Sequence, residues 1–184
     1  MQTQIYLIAP ADAQTAAFST QLAAVLDRHE VSALLLPRGT RAENAYKDFA
    51  KAIMPLAQAK GCAVLVEGAP GLVRMLGADG LHVSDGPEAT RDAVKALHPG
   101  LIVGVGNVQS RDDAMTLGEL EVDYVLFGAL TTPPTAADRD MAAWWAETME
   151  IPAVLADPAA GLETLDAAGC EFIGLAVPAL ETAR

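Results

Sequence analysis

The sequence predicts an α/β fold: a single (β/α)8 barrel of the TIM type, one domain over residues 1–184, compact and with a truncated final helix. Three observations predict it. Short apolar runs alternate with helical patterns from end to end, the order expected of a parallel sheet with crossover helices. Eight such units fill the chain at about 23 residues each, near-equal lengths that suit a closed ring. No Gly-x-Gly-x-x-Gly follows the first strand, where Pro10 stands instead, so the doubly wound dinucleotide-binding sheet loses its main signature.

The first strand is Gln4 to Ala9, stopped by Pro10, and the helix after it spaces Phe18, Leu22, Val25 and Leu26 on one face. Val31 to Leu36 forms the second strand, stopped by Pro37 and Gly39. Ala42, Ala45, Phe49, Ala52, Ile53 and Leu56 make the stripe of the second helix, whose last turn Pro55 should kink or end. Cys62 to Val66 is the third strand, followed by a short helix over Gly71 to Leu76 that Gly77 closes. Gly80 to Val83 is the fourth strand, and Pro87 opens a helix running to about His98. After the fifth strand, Leu101 to Val105, Ser110 caps a helix over Arg111 to Leu120, with Asp113 placed like the acid of a capping box. The sixth strand, Asp123 to Phe127, leads through a Thr/Pro loop to a helix bearing Trp144, Trp145 and Met149. Ala153 to Ala156 is the seventh strand, after which Asp157 caps and Pro158 opens a seventh helix. Phe172 to Ala176 is the eighth strand, leaving only Val177 to Arg184 for a final turn or two. So short a last helix should bare apolar wall near the first and last strands, and a partner subunit in a homodimer is expected to cover it.

Hydrophobic residues make up 52% of the chain and aromatic residues 5%, so the core must be built from Ala, Val, Leu and Ile. Twelve basic against 24 acidic residues give a net charge of −12, which repels nucleic acid and anionic membranes. No basic patch, signal peptide, membrane-length apolar run, internal repeat or linker is visible, and the expected compartment is cytoplasmic. Cys62 and Cys170 open apolar runs and lack metal-ligand spacing, so they read as buried small hydrophobes.

Leu76-Gly77-Ala78-Asp79-Gly80-Leu81-His82-Val83 resembles the Gly-Ala-Asp-Gly-Val-His signature of the thiamine phosphate synthase/TenI family. Ile102 to Val105, Val122-Asp123-Tyr124-Val125, Ile151 to Leu155 and Ala167 to Cys170 resemble that family's later strands and turns, in order, so the resemblance covers nearly the whole chain. It implies coupling of an aminopyrimidine pyrophosphate with a thiazole phosphate, release of pyrophosphate, a Mg2+ cofactor, and cationic or backbone donors for the phosphates. The family's Gln-Leu-Arg-x-Lys faces Leu35 to Gly39, where Arg38 alone survives, out of register. Its Asn-Asp-Arg faces Glu67-Gly68-Ala69, and its second metal aspartate falls at Gly86 or Pro87 beside Asp85. The serine after the fifth strand is Gly106, the loop lysine is Ala136, the Gly-Gly after the seventh strand is Asp157-Pro158, and the last serine is Val177. Pro158 deletes a backbone donor, and Asp157 sets a negative charge where a phosphate should rest. Like charges at ~4 Å repel by about 4 kcal/mol even at an effective dielectric near 20.

Six residues are candidates for a small-molecule site in the strand-end loops. His82 reads either as a general acid/base or as a neutral histidine in the barrel wall. Glu67 and Asp85 end adjacent strands and read either as oxygen ligands to one hard cation or as solvated loop carboxylates. Arg38 reads as an anion ligand or a surface arginine. Asn107 and Gln109 bond either a ligand or the loop backbone. Three functions follow: a synthase with a rebuilt site, in which Arg38 holds phosphate and Glu67 with Asp85 holds Mg2+; a non-catalytic relative that binds a small molecule or partner; and a TenI-type tautomerase using His82.

Overall fold

The computed structural model describes residues 2–181. Eight strands close into one parallel barrel in sequence order. They are β1 (Gln4–Ile8), β2 (Ala33–Leu36), β3 (Ala63–Val66), β4 (Gly80–Val83), β5 (Ile102–Val105), β6 (Tyr124–Phe127), β7 (Ala153–Ala156) and β8 (Phe172–Ala176). The ring shuts where β1 pairs with β8 over five residues, from Gln4 with Phe172 to Ile8 with Ala176. The helices are α1 (Thr15–Arg28), α2 (Glu43–Gln58), α3 (Pro70–Leu76), α4 (Pro87–Leu97), α5 (Arg111–Gly118), α6 (Ala136–Thr148) and α7 (Val177–Glu181).

Period-two alternation divides the core into two layers. Outward residues such as Leu7, Leu34, Val64, Val103, Val125 and Leu155 meet the helices. Inward residues, among them Tyr6, Ile8, Leu35, Leu65, Tyr124, Leu126 and Val154, fill the barrel. Glycine makes room for Tyr124: a Cβ on Gly104 would lie 1.9 Å from its ring. Strand glycines of this kind mark a close approach that a side chain would block.

At the lower end, carboxylates preceding even-numbered strands latch the strands before them. Asp79 accepts from the Val64 amide at 2.7 Å, Asp123 from the Val103 amide at 2.8 Å, and Glu171 from the Ala153 amide at 2.8 Å. Each satisfies a donor at a strand start that the ladder leaves over.

The sequence expectations need correcting in three places. The helix expected after Asp157 is absent, and residues 157–171 run as turns. Asp157 turns its carboxylate to Arg139 instead of to a first-turn amide, and Thr164 Oγ1 bonds the backbone of Gly161, offering the chain a non-helical alternative. Ala160, Leu162 and Leu165 of this segment still pack on the core. The buried face of α2 is also rotated from the expected stripe: Phe49 and Ile53 hold, but Tyr46, Ala50, Met54 and Ala57 replace exposed Ala42, Ala45 and Ala52. Asp113 accepts from the Gln109 amide, one residue before the Ser110 cap, while a full capping box forms at Thr135 and Asp138. Beside the closure of the ring, the short final helix packs against α1 and β8. Val177, Ala179 and Leu180 of α7 are buried, and His29 Nε2 on the end of α1 bonds the Leu180 carbonyl at 3.0 Å. Residues 182–184 of the expected final stretch lie outside the described residues.

Pro55 falls in the last turn of α2, which ends at Gln58. Trp145 is buried with its Nε1 donating to the Ile151 carbonyl, whereas Trp144 is half-buried with the Arg111 guanidinium 4.8 Å from its ring centre. Cys62 and Cys170 are free, buried thiols, and burial pushes both thiol pKa values up to about 12.

Candidate functional site

The carboxyl ends of parallel barrel strands carry the loops that build ligand sites. Here β3 delivers Glu67, and β4 delivers His82, Ser84 and Asp85, to one cavity of about 190 Å³. Pro70 of α3 and Ala89 and Asp92 of α4 complete its wall. Three sequence-predicted residues, His82, Glu67 and Asp85, therefore meet at one place.

His82 is an inward residue of β4 and is 3% exposed. Its Nδ1 lies 2.8 Å from the Tyr124 hydroxyl, which lies 2.7 Å from the Tyr6 hydroxyl. Burial alone depresses the imidazole pKa from 6.5 to about 4, so the ring is neutral near pH 7. Both buried tyrosines are pushed well above the ordinary phenol range, so their hydroxyls keep their protons. The other His82 nitrogen, Nε2, sits beneath Gly106, where an added Cβ would stand 2.7 Å away.

Glu67 follows β3 and turns inward. Its backbone N–H donates to the Tyr46 hydroxyl at 3.0 Å, and that hydroxyl donates to the Leu36 carbonyl, tying the ends of β2 and β3 to α2. Burial raises the Glu67 carboxyl pKa, a hydrogen bond from the Arg38 amide lowers it, and the Asp85 charge raises it again.

The other candidates are occupied elsewhere. The Arg38 guanidinium donates to the Arg41 carbonyl at 3.1 Å, while its main-chain amide faces Glu67. Arg41, which the sequence did not single out, donates to Ala11, Ala13 and Pro37 carbonyls and stacks 4.0 Å from the centre of the Phe49 ring. Asn107 donates to the Ser84 carbonyl at 3.3 Å and accepts from Gln109 at 2.7 Å, so both amides brace the loop. Asp157 is 6% exposed and pairs with Arg139 at 2.6 Å, and Arg139 also donates to the Asp166 carbonyl.

Sequence reasoning missed Tyr6, Tyr124 and Tyr46. The signal for the first two is their inward register on β1 and β6, opposite the glycines of β8 and β5. Tyr46 gives itself away only through the rotated face of α2.

Comparison with known proteins follows the same lines. Residues 5–162 match the family described as thiamine monophosphate synthase. A thiamine-phosphate synthase of Rhodospirillum centenum is 35% identical over 156 residues, spanning 82% of this chain and 75% of that protein. One from Hyphomonas neptunium is 32% identical over 163 residues, spanning 83% and 74%. Among solved structures, a thiamine phosphate pyrophosphorylase from Pyrococcus furiosus superimposes with a TM-score of 0.75 at 16% identity, over 94% of this chain and 85% of that one, a likeness of fold. With barrel, strand-end cavity and sequence match in agreement, the chain belongs to the thiamine monophosphate synthase family.

Proposed function

We propose that this family member binds a small molecule at the rim between β3 and β4 and does not carry out the family's coupling reaction. The observation that carries the reading is the pairing of buried Asp157, at the end of β7, with half-buried Arg139. A carboxylate occupies the place the resemblance assigns to bare backbone donors, and the cation nearest it is already engaged. Arg38, the one cation that survives from the family's Gln-Leu-Arg-x-Lys, turns its Nε to a main-chain carbonyl.

Mg2+ is held by one or two carboxylates together with waters and substrate phosphates. Glu67 and Asp85 offer two carboxylates, but among the described residues no cluster of three His, Cys, Asp or Glu side chains is placed for a metal. Of the cations near the strand ends, Arg38 turns Nε to the Arg41 carbonyl and Arg139 pairs with Asp157. Glu67 and Asp85 would be the residues to hold the family's metal, and no step of the reading passes through one.

Purified protein supplied with the two phosphorylated halves and Mg2+ is expected to form no thiamine phosphate. Turnover that Arg38→Ala abolishes would overturn the reading. A second reading, proton transfer of the TenI tautomerase kind, is favoured by one observation: neutral His82 and half-buried Glu67 line the same cavity. It requires a tautomerase activity that disappears in His82→Ala.

A further inference from the structure

The hydrogen-bonded row Tyr6–Tyr124–His82 runs along the barrel interior, and its proton positions follow from counting donors and acceptors. Tyr6 Oη has Tyr124 as its bonded partner, and Tyr124 Oη lies between Tyr6 and His82 Nδ1. If Nδ1 carried the proton and Tyr124 passed its own on to Tyr6, the Tyr6 hydrogen would be left without an acceptor in the row. If Nδ1 and Tyr6 both donated to Tyr124, the Tyr124 hydrogen would be stranded. Only one arrangement gives both hydroxyl hydrogens an acceptor: Tyr6 donates to Tyr124, and Tyr124 donates to a bare Nδ1. Buried hydroxyls left unpaired are expensive, so this arrangement should dominate by about tenfold or more. The tautomer of a histidine is set by the bond its other nitrogen makes.

A neutral ring with a bare Nδ1 carries its proton on Nε2. Among the described residues no protein group bonds Nε2, yet none of their buried side-chain nitrogens or oxygens lacks a partner. The residual 3% exposure of His82 therefore includes Nε2, beneath the space that Gly106 leaves clear. The donor thus reaches the surface beside Gly106, and His82 also lines the rim cavity together with Glu67, Asp85 and Asp92.

We propose that Tyr6 and Tyr124 hold His82 as the Nε2–H tautomer, and that the rim takes a neutral, amide-like ligand whose acceptor meets Nε2–H and whose N–H groups meet the surrounding carboxylates. The ligand class rests on the reading of this rim as a binding site. A phosphate there would meet one N–H donor but three acidic side chains, whereas a carboxamide matches both kinds of group. Tyr6 and Tyr124 act through His82 and are positioning residues.

The test is the long-range proton–nitrogen NMR spectrum of the 15N-labelled protein near neutral pH, with His82 assigned against His82→Gln. The expected pattern is a protonated Nε2 and a bare Nδ1, and the reverse pattern overturns the proposal. Tyr6→Phe should preserve the pattern, because the Tyr124 hydrogen still has Nδ1 as its acceptor. Tyr124→Phe should lose the single tautomer, and a pattern unchanged in that variant would also overturn the proposal. If either variant fails to fold, the wild-type spectrum still decides. Titration with 2-pyrrolidone should move the Nε2–H resonance, and inorganic phosphate should leave it in place. A response to phosphate alone, or to neither, overturns the ligand class. Coupling activity in the synthase assay would sink the earlier reading and leave the tautomer standing. A protonated Nδ1 would do the opposite.

Discussion

At the scale of single residues, the space beside Gly106 decides what His82 can do. The resemblance places a serine there, and in this chain a Cβ would stand 2.7 Å from Nε2. The ring cannot retreat easily, because Tyr124 holds Nδ1 and the barrel interior surrounds it. Gly106→Ser is therefore expected to push the ring off Tyr124 and cost about 1–3 kcal/mol, the range for overfilling a packed core. Denaturant unfolding measures the loss, and a displaced His82 ring resonance identifies its cause. His82 itself was legible from its place near the end of a barrel strand. The pairing of its nitrogens was not, because Tyr6 and Tyr124 stand 118 residues apart and meet only when the ring of strands closes. Arg38 shows the opposite limit. Its sequence position marks it as a loop cation, but nothing local says that its guanidinium turns to the Arg41 carbonyl.

Elements were legible where the hydrophobic period is unambiguous and were lost where competing bonds intervene. All eight strands announce themselves as apolar runs, and α1 buries the four residues its spacing predicts. The segment after β7 carries a plausible cap and a proline, yet Arg139 on α6 takes the Asp157 carboxylate, and no helix starts. A partner 18 residues away in sequence thus overrides a local start signal. The face of α2 is misplaced for a related reason: alanines fit both surface and core, and only Tyr46 fixes the rotation through its bonds to Leu36 and Glu67. Asp79 reads in the sequence as part of a family signature, and the structure gives it a mechanical task. It holds the Val64 amide at 2.7 Å and accepts from Gln58 Nε2 at 3.2 Å. Asp79→Ala should cost about 1.5–3 kcal/mol, the range for a hydrogen bond to a charged group, with loss of amide-exchange protection at Val64. Retained protection would show that the ladder alone suffices there.

For the whole molecule, the buried titratable groups give stability two opposing slopes with pH. His82 has a folded pKa of about 4 against 6.5 unfolded. The unfolded chain thus binds more protons between those values. This contribution is fully present above pH 6.5 and is lost as the solution is acidified through 4, by about 3 kcal/mol in all. Glu67 is raised above 4.5. Its contribution is complete below 4.5 and is lost as pH rises through the folded value, so it partly masks the histidine slope. Glu67→Gln should remove the mask and steepen the loss of stability from pH 6 toward 4.5. Unfolding free energies over that range check it, and parallel curves for the two proteins would contradict the assignment. Net charge is legible from composition at this scale, but the sign of these slopes comes only from burial, which composition does not report.

The lower-end latches have a consequence for how the ring is assembled. Asp79 reaches back to Val64, Asp123 to Val103 and Glu171 to Ala153, while Ser32 bonds Gln4 in the first pair. Each contact joins an odd strand to its successor, and none of these four crosses from an even strand to the next odd one. The circle is thereby divided into four quarters, each a strand–connection–strand clip fastened by its own side chain. New termini cut between quarters leave every clip within a continuous stretch of chain, whereas termini cut inside a quarter turn one local fastening into a long-range one.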